Sequence, residues 1–138
     1  MRQLDKIILH CTATTSTRKL SVKEVRKWHV ARGWQDIGYH YLIHQDGTIE
    51  KGRPIQKVGA HALNNNASSV GVAYCGGVDK DGEPKDTMTK KQQQAFRDLV
   101  HALRLTFTWD IQVTGHNQYS NKACPSFDIK TKFHDLIL

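Results

Sequence analysis

No stretch of this chain is apolar over the roughly 20 residues that a bilayer-spanning helix needs, so no membrane span is expected. The N-terminus, Met1-Arg-Gln-Leu-Asp-Lys-Ile-Ile-Leu9, lacks the apolar core and small-residue cleavage site of an export signal. The expected location is therefore cytoplasmic, or extracytoplasmic only if a signal has been removed. Cysteine is scarce. Cys11, Cys75 and Cys124 are widely spaced, odd in number and without a C-x-x-C pair, which excludes a disulfide framework and argues against a zinc finger or ribbon. Neither repeats nor a low-complexity linker interrupt the 138 residues, so residues 1–138 are read as one domain, most simply a monomer. A G-x-S-x-G elbow is also missing, which removes support for a serine nucleophile. Acidic residues are outnumbered, 13 against 20 Lys and Arg, and the net charge of +7 favours anionic partners such as nucleic acid, acidic lipid or an acidic wall. Those basic residues form no single dense patch, and no nucleic-acid-reading motif accompanies them.

What is present alternates between strand and helix signals. Lys6 to Ala13 reads as a central strand, with Ile8 and His10 on one face and Ile7, Leu9 and Cys11 on the other. Ser21-Val-Lys-Glu24 has the spacing of a capping box, followed by Val22, Val25, Trp28 (or His29) and Arg32 at helical intervals up to Gly33. Gly38 to His44 and Thr48 to Lys51 form a hairpin turning on Asp46-Gly47. Alternation along that first hairpin strand puts Tyr39 and Tyr41 on one face and His40 and His44 on the other, so only one of Tyr39 and His40 is expected to enter a given cleft.

Ile55 to Ser69 reads as a long polar loop, and Val70 to Cys75 as a second buried strand ended by Gly76-Gly77. Thr89 and Gln92 cap a helix whose stripe of Ala95, Phe96, Leu99 and Leu103 is core. Ile111 to Thr114 is a late strand, and Asp128 to Ile137 a short closing helix. The expected fold is mixed α/β, a central mixed β-sheet flanked by helices.

Against that frame the richest segment is Gly115-His-Asn-Gln-Tyr-Ser-Asn-Lys-Ala-Cys-Pro-Ser-Phe-Asp128. It places His116 eight residues before Cys124, and imidazole nitrogen and thiolate sulfur are ligands that zinc prefers. A third ligand must come from elsewhere, and His10 stands near the end of the first strand. Convergence of the three would leave one coordination position open, the arrangement of a hydrolytic rather than a structural zinc site. The alternative for Cys124 is an ordinary buried thiol, the reading given to Cys11 and Cys75. His29, His40, His44, His101 and His134 are read as packing or surface residues.

Taken in order, Ile8-Leu-His10-Cys-Thr-Ala-Thr, Trp28-His29 with Gly33-Trp34, Asp36-Ile-Gly-Tyr39-His40-Tyr-Leu-Ile, Asp46-Gly-Thr, Val58-Gly-Ala-His61, Ser69-Val-Gly-Val and Lys122-Ala-Cys-Pro-Ser-Phe-Asp128 resemble one family across nearly the whole chain. It is the type 2 N-acetylmuramoyl-L-alanine amidases, which include the peptidoglycan recognition proteins, and the likeness is greatest to the small phage lysozyme-type amidases. The resemblance implies one zinc ion per chain on His10, His116 and Cys124, with Tyr39 and Lys122 as catalytic residues. It implies hydrolysis of the amide between the lactyl group of N-acetylmuramic acid and L-alanine in peptidoglycan.

Within that implied mechanism, Lys122 stabilises the oxyanion. Tyr39 orients water or exchanges protons, though an ordinary tyrosine pKa near 10 makes it a poor base. His61 is a candidate for lining the substrate groove. The family also contains wall-binding proteins without activity, in which the cysteine is typically replaced, and phage members that bind an RNA polymerase. A non-catalytic peptidoglycan-binding module and a polymerase regulator are thus the alternatives to a hydrolase. A phage-type enzyme without its own signal is expected to reach the wall through a holin or at lysis.

Overall fold

The computed structural model describes residues 2–138. In chain order the elements are β1 (Lys6–Cys11), β2 (Thr14–Thr15), α1 (Val22–Ala31), β3 (Tyr41–Ile43), β4 (Ile49–Lys51), β5 (Ser69–Tyr74), β6 (Gly77–Val78), α2 (Lys90–Thr106), β7 (Gln112–Gly115) and α3 (Ile129–Lys132). Five strands form one sheet in the order β4-β3-β5-β1-β7. β1 lies between β5 and β7 and runs parallel to both, β3 is parallel to β5, and the β3–β4 hairpin is antiparallel. This is the mixed sheet expected. The two-residue pair β2–β6 was not anticipated; it joins the segments that follow β1 and β5.

Burial of both faces explains why the inner strands are almost uninterruptedly apolar. One face carries Ile7, Leu9 and Cys11 of β1 beside Val70, Val72 and Tyr74 of β5, covered by Ala95, Phe96, Leu99, Val100 and Leu103 of α2 and by Ile129 and Phe133. Full burial of each large side chain in that layer is worth about 1.5–3 kcal/mol. On the other face Val22 and Val25 of α1 pack with Leu20, Ile37, Leu42, Ala73 and Cys75. Cys11 and Cys75 are buried free thiols, as read.

The helix caps divide. At α2 the full box forms: Thr89 accepts from the Gln92 N–H, and Gln92 accepts from the Thr89 N–H. Gln92 also donates to the carbonyls of Ile43 and Cys75, tying the helix to the ends of β3 and β5. At α1 only half forms, with Ser21 accepting from the Glu24 N–H at 3.2 Å. The Glu24 carboxylate turns instead towards Arg18 at 3.9 Å.

His29, not Trp28, completes the buried stripe of α1; Trp28 is 39 % exposed. The single closing helix expected over Asp128 to Ile137 is two short pieces. α3 ends at Phe133, where φ −116° and ψ 40° break the helix, and a 3-10 turn follows over His134–Leu136. The break lets Phe133 enter the core, with its ring centroid 5.0 Å from that of Phe96. Arg104, unremarked in the sequence, is buried and donates to the carbonyls of Ile111 and Leu136, binding α2 to both neighbours.

Candidate metal centre

Parallel pairing of β1 with β7 sets Leu9 opposite Gly115, so the residues that follow, His10 and His116, emerge side by side. Their ring centroids are 4.4 Å apart. His10 is 1 % exposed, and His116 opens a 3-10 turn closed by the Gln118 side chain, which accepts from the Gly115 N–H. Cys124 returns on a loop pinned from three sides. Tyr74 Oη donates to the Pro125 carbonyl at 2.7 Å, Ser126 Oγ donates to the Gly77 carbonyl at 2.7 Å, and the Cys11 N–H points at Cys124 Sγ at 3.1 Å.

The donor atoms of His10, His116 and Cys124 all lie within 4.8 Å of one another, and no other such group of three occurs among the described residues. Two nitrogens and one sulfur at that spacing suit a zinc-type cation better than a hard oxygen-seeking one. Metal binding needs neutral imidazoles, and the surroundings supply them. Burial, then His61, His116 and Lys122, hold His10 well below the usual histidine range; burial and Lys122 lower His116. The nearness of the Cys11 and Cys124 thiols lowers Cys11 and, with burial, raises Cys124. A cation among the three donors would draw the negative charge to Cys124, where the Cys11 N–H also favours it.

A cavity of about 210 Å³ opens over these groups, lined also by His29, Arg32, Trp34, Tyr39, His61 and Lys122. Tyr39 stands with its ring centroid 5.1 Å from His10. Burial, reinforced by Cys124 and Cys11, raises its phenol well above the usual tyrosine range. A neutral phenol there can donate a hydrogen bond into the cavity.

Only one of Tyr39 and His40 enters this cavity, as expected: Tyr39 lines it, whereas His40 lines a separate one with Tyr41, Gly52 and Ile55. The expected sharing of one face by Tyr39 and Tyr41 does not occur. Tyr39 packs on the α1 side, whereas Tyr41 packs against the α2 layer. His40 accepts from the Gly71 N–H, and its ring lies 5.9 Å from that of His61. Regular alternation begins only at Tyr41, the first residue of β3, so Tyr39 and Tyr41 fall on different faces.

His61 lines this cavity and a second one of about 580 Å³ beside it, which Leu63, Asn66, Tyr119 and Ser120 extend. His29, taken for a packing residue, is buried and accepts the Gly38 N–H at Nδ1 (2.8 Å), but it also forms part of the cavity wall. Burial and the neighbouring Arg32 and Arg53 push it down to about 4. Arg32 and Trp34 are further wall residues that sequence reasoning did not single out. Arg32 entered only through helical spacing, and Gly33-Trp34 only as a helix boundary and as part of the family resemblance.

The chain was compared with known proteins. The family described as N-acetylmuramoyl-L-alanine amidase matches residues 1–127. An endolysin of Klebsiella phage KP32 is 42% identical over 129 residues, covering 94% of this chain and 85% of that protein. Among solved structures, the N-acetylmuramoyl-L-alanine amidase LysC from Clostridium intestinale URNW superposes with a TM-score of 0.80 at 28% identity, over 96% of this chain and 87% of that one. Bumblebee PGRP-SA gives a TM-score of 0.83 at 26% identity, over 98% and 83%. With the matched residues reaching from the first strand through Cys124, the chain belongs to the N-acetylmuramoyl-L-alanine amidase family.

Proposed function

We propose that this chain is a zinc-dependent N-acetylmuramoyl-L-alanine amidase of the endolysin type, cutting the lactyl–L-alanine amide of peptidoglycan. The observation that carries the reading is the convergence of His10, His116 and Cys124 within 4.8 Å at the floor of a cavity that Tyr39 and Lys122 also line. His10, His116 and Cys124 would hold the zinc, which supplies Lewis-acid chemistry, polarising a carbonyl and activating water.

The remaining work falls to the chain's own side chains. Lys122, on the cavity wall, brings positive charge towards the oxygen of the scissile carbonyl as it becomes an oxyanion. Tyr39, a lining residue held neutral by burial, offers its Oη–H as a hydrogen-bond donor to the substrate. Hydrolysis adds water across the amide: the carbonyl carbon gains the oxygen, the C–N bond breaks, and the leaving amine of L-alanine takes a proton. His29 and Trp34 complete the cavity lining.

Retention of Cys124 favours catalysis over wall binding alone. The endolysin relatives accord with an enzyme that acts on the wall after release. The polymerase-binding role draws on no feature of this site and is not carried into the proposal. The test is amine release from purified peptidoglycan by zinc-loaded and chelator-stripped protein. The account expects zinc-dependent release of peptides that begin with free L-alanine; release independent of zinc, or at another bond, would refute it.

A further inference from the structure

Resting on that assignment of the metal ligands, we infer that His61 is a positioning residue of the centre, which orients His10 and fixes its tautomer. His10 has two ring nitrogens, and Nε2 lies 2.8 Å from His61 Nδ1. Nδ1 has no hydrogen-bond partner among the described residues, which leaves it as the nitrogen to face a metal. Two neutral imidazoles in contact share one proton, and the ligand role decides its place. A proton on His10 Nδ1 would occupy the lone pair that the metal needs. The proton therefore sits on His10 Nε2 and is donated to His61 Nδ1. His61 then carries its own proton on Nε2, 3.2 Å from Ser69 Oγ, which accepts it. The relay runs from His10 through His61 to a fully buried serine at the start of β5.

The surrounding residues are arranged to hold that ring. Asn66 Oδ1 accepts the N–H groups of both His61 and Ala62 at 3.0 Å, fixing the loop from which the ring projects. Gly71 lies beneath it in the middle of β5, where a Cβ would come within 2.5 Å of His61 Cδ2. A Cβ on Gly59 would come within 2.8 Å of the same atom, and as close to the Gly38 carbonyl oxygen and to His40 Cε1. Neither glycine has a positive φ. They are required for space, not for backbone freedom; at Gly71 that space is the His61 ring's, and at Gly59 it is shared by His61, His40 and the Gly38 carbonyl. Outer partners of metal-bound histidines typically contribute 10–100-fold to metal affinity or activity.

Zinc affinity, measured by competition with a chromogenic chelator, tests this directly, with kcat and KM on soluble muropeptide recorded alongside. The asparagine of His61→Asn places Oδ1 near the position of Nδ1 and keeps the acceptor, whereas His61→Leu keeps bulk and removes it. The expected result is roughly 10–100-fold weaker zinc binding in His61→Leu, substantial rescue in His61→Asn, and loss approaching that of His61→Leu in Gly71→Ala. His61→Leu binding zinc like the wild type, with only KM raised, would overturn the inference and make His61 a groove wall. Equal loss in His61→Asn and His61→Leu, both folded by thermal melting, would overturn it too. Should His61→Leu fail to fold, Ser69→Ala breaks the far end of the relay; weakened zinc binding sustains the inference and unchanged binding ends it. Failure of the wild type to bind zinc would instead defeat the metal assignment itself.

Discussion

The two faces of the sheet are cut from the same strands yet built to opposite ends. Towards α2, β1 and β5 present Ile7, Leu9, Val70, Val72 and Tyr74, large residues that fill the layer. Towards α1, the alternate positions are Ile8, His10, Gly71 and Ala73. Two of those four are too small to fill the layer, and one is a histidine. The room they leave is occupied by the rings of His61, His40 and Tyr39 around His10. One face therefore supplies cohesion, and the other spends packing to assemble polar groups that water would otherwise scatter. Changes on the first should lower stability; changes on the second should lower function.

The sharpest break in that contrast is His116→Ala. It removes a donor from the centre without touching the α2 layer, and amine release should fall by at least about 10³-fold, equivalent to several kcal/mol, while the melting temperature of the metal-stripped protein stays close to wild type. Phe96→Ala is the mirror case. Its ring is fully buried against Phe133, so urea unfolding should show a loss of about 3–5 kcal/mol, with kcat of the folded fraction preserved. Lys122→Ala should lower kcat by about 10²–10³-fold with zinc affinity little changed, as steady-state kinetics and chelator competition would report.

Acid should weaken the histidine-lined face first. His29 and His40 are each pushed down to about 4, chiefly by burial. Between about pH 6.5 and pH 4 the unfolded chain binds protons that these rings refuse in the fold, so stability is full above about 6.5 and falls as pH drops through that window. Urea midpoints of the metal-stripped protein should decline across that range, and His40→Gln should flatten the decline. The smallest effect belongs to Thr89→Ala, which removes one cap of α2 and should cost about 1 kcal/mol in urea unfolding.

Much of this was legible before any coordinates, for physical reasons. The apolar runs of β1 and β5 announce strands buried on both faces, and Thr89 with Gln92 announces a cap. His116 and Cys124 stand out because ligand types, spacing and the family motif agree. What escaped depends on tertiary contact. Alternation placed Tyr39 and Tyr41 on one face, but it holds only where the strand is regular, and β3 starts at Tyr41. Nothing local in Asp128 to Ile137 reveals that Phe133 leaves the helix to reach Phe96. The link between His61 and His10 spans 51 residues. Its trace in the sequence is Gly71, whose purpose becomes visible once the ring is seen above it.

The most direct test is a zinc titration of metal-stripped protein, followed by amine release from peptidoglycan at each addition. The account predicts activity that rises with zinc and saturates at one ion per chain, with Cys124→Ala silent throughout. Full activity before any zinc is added, or equal activity in Cys124→Ala, would contradict it.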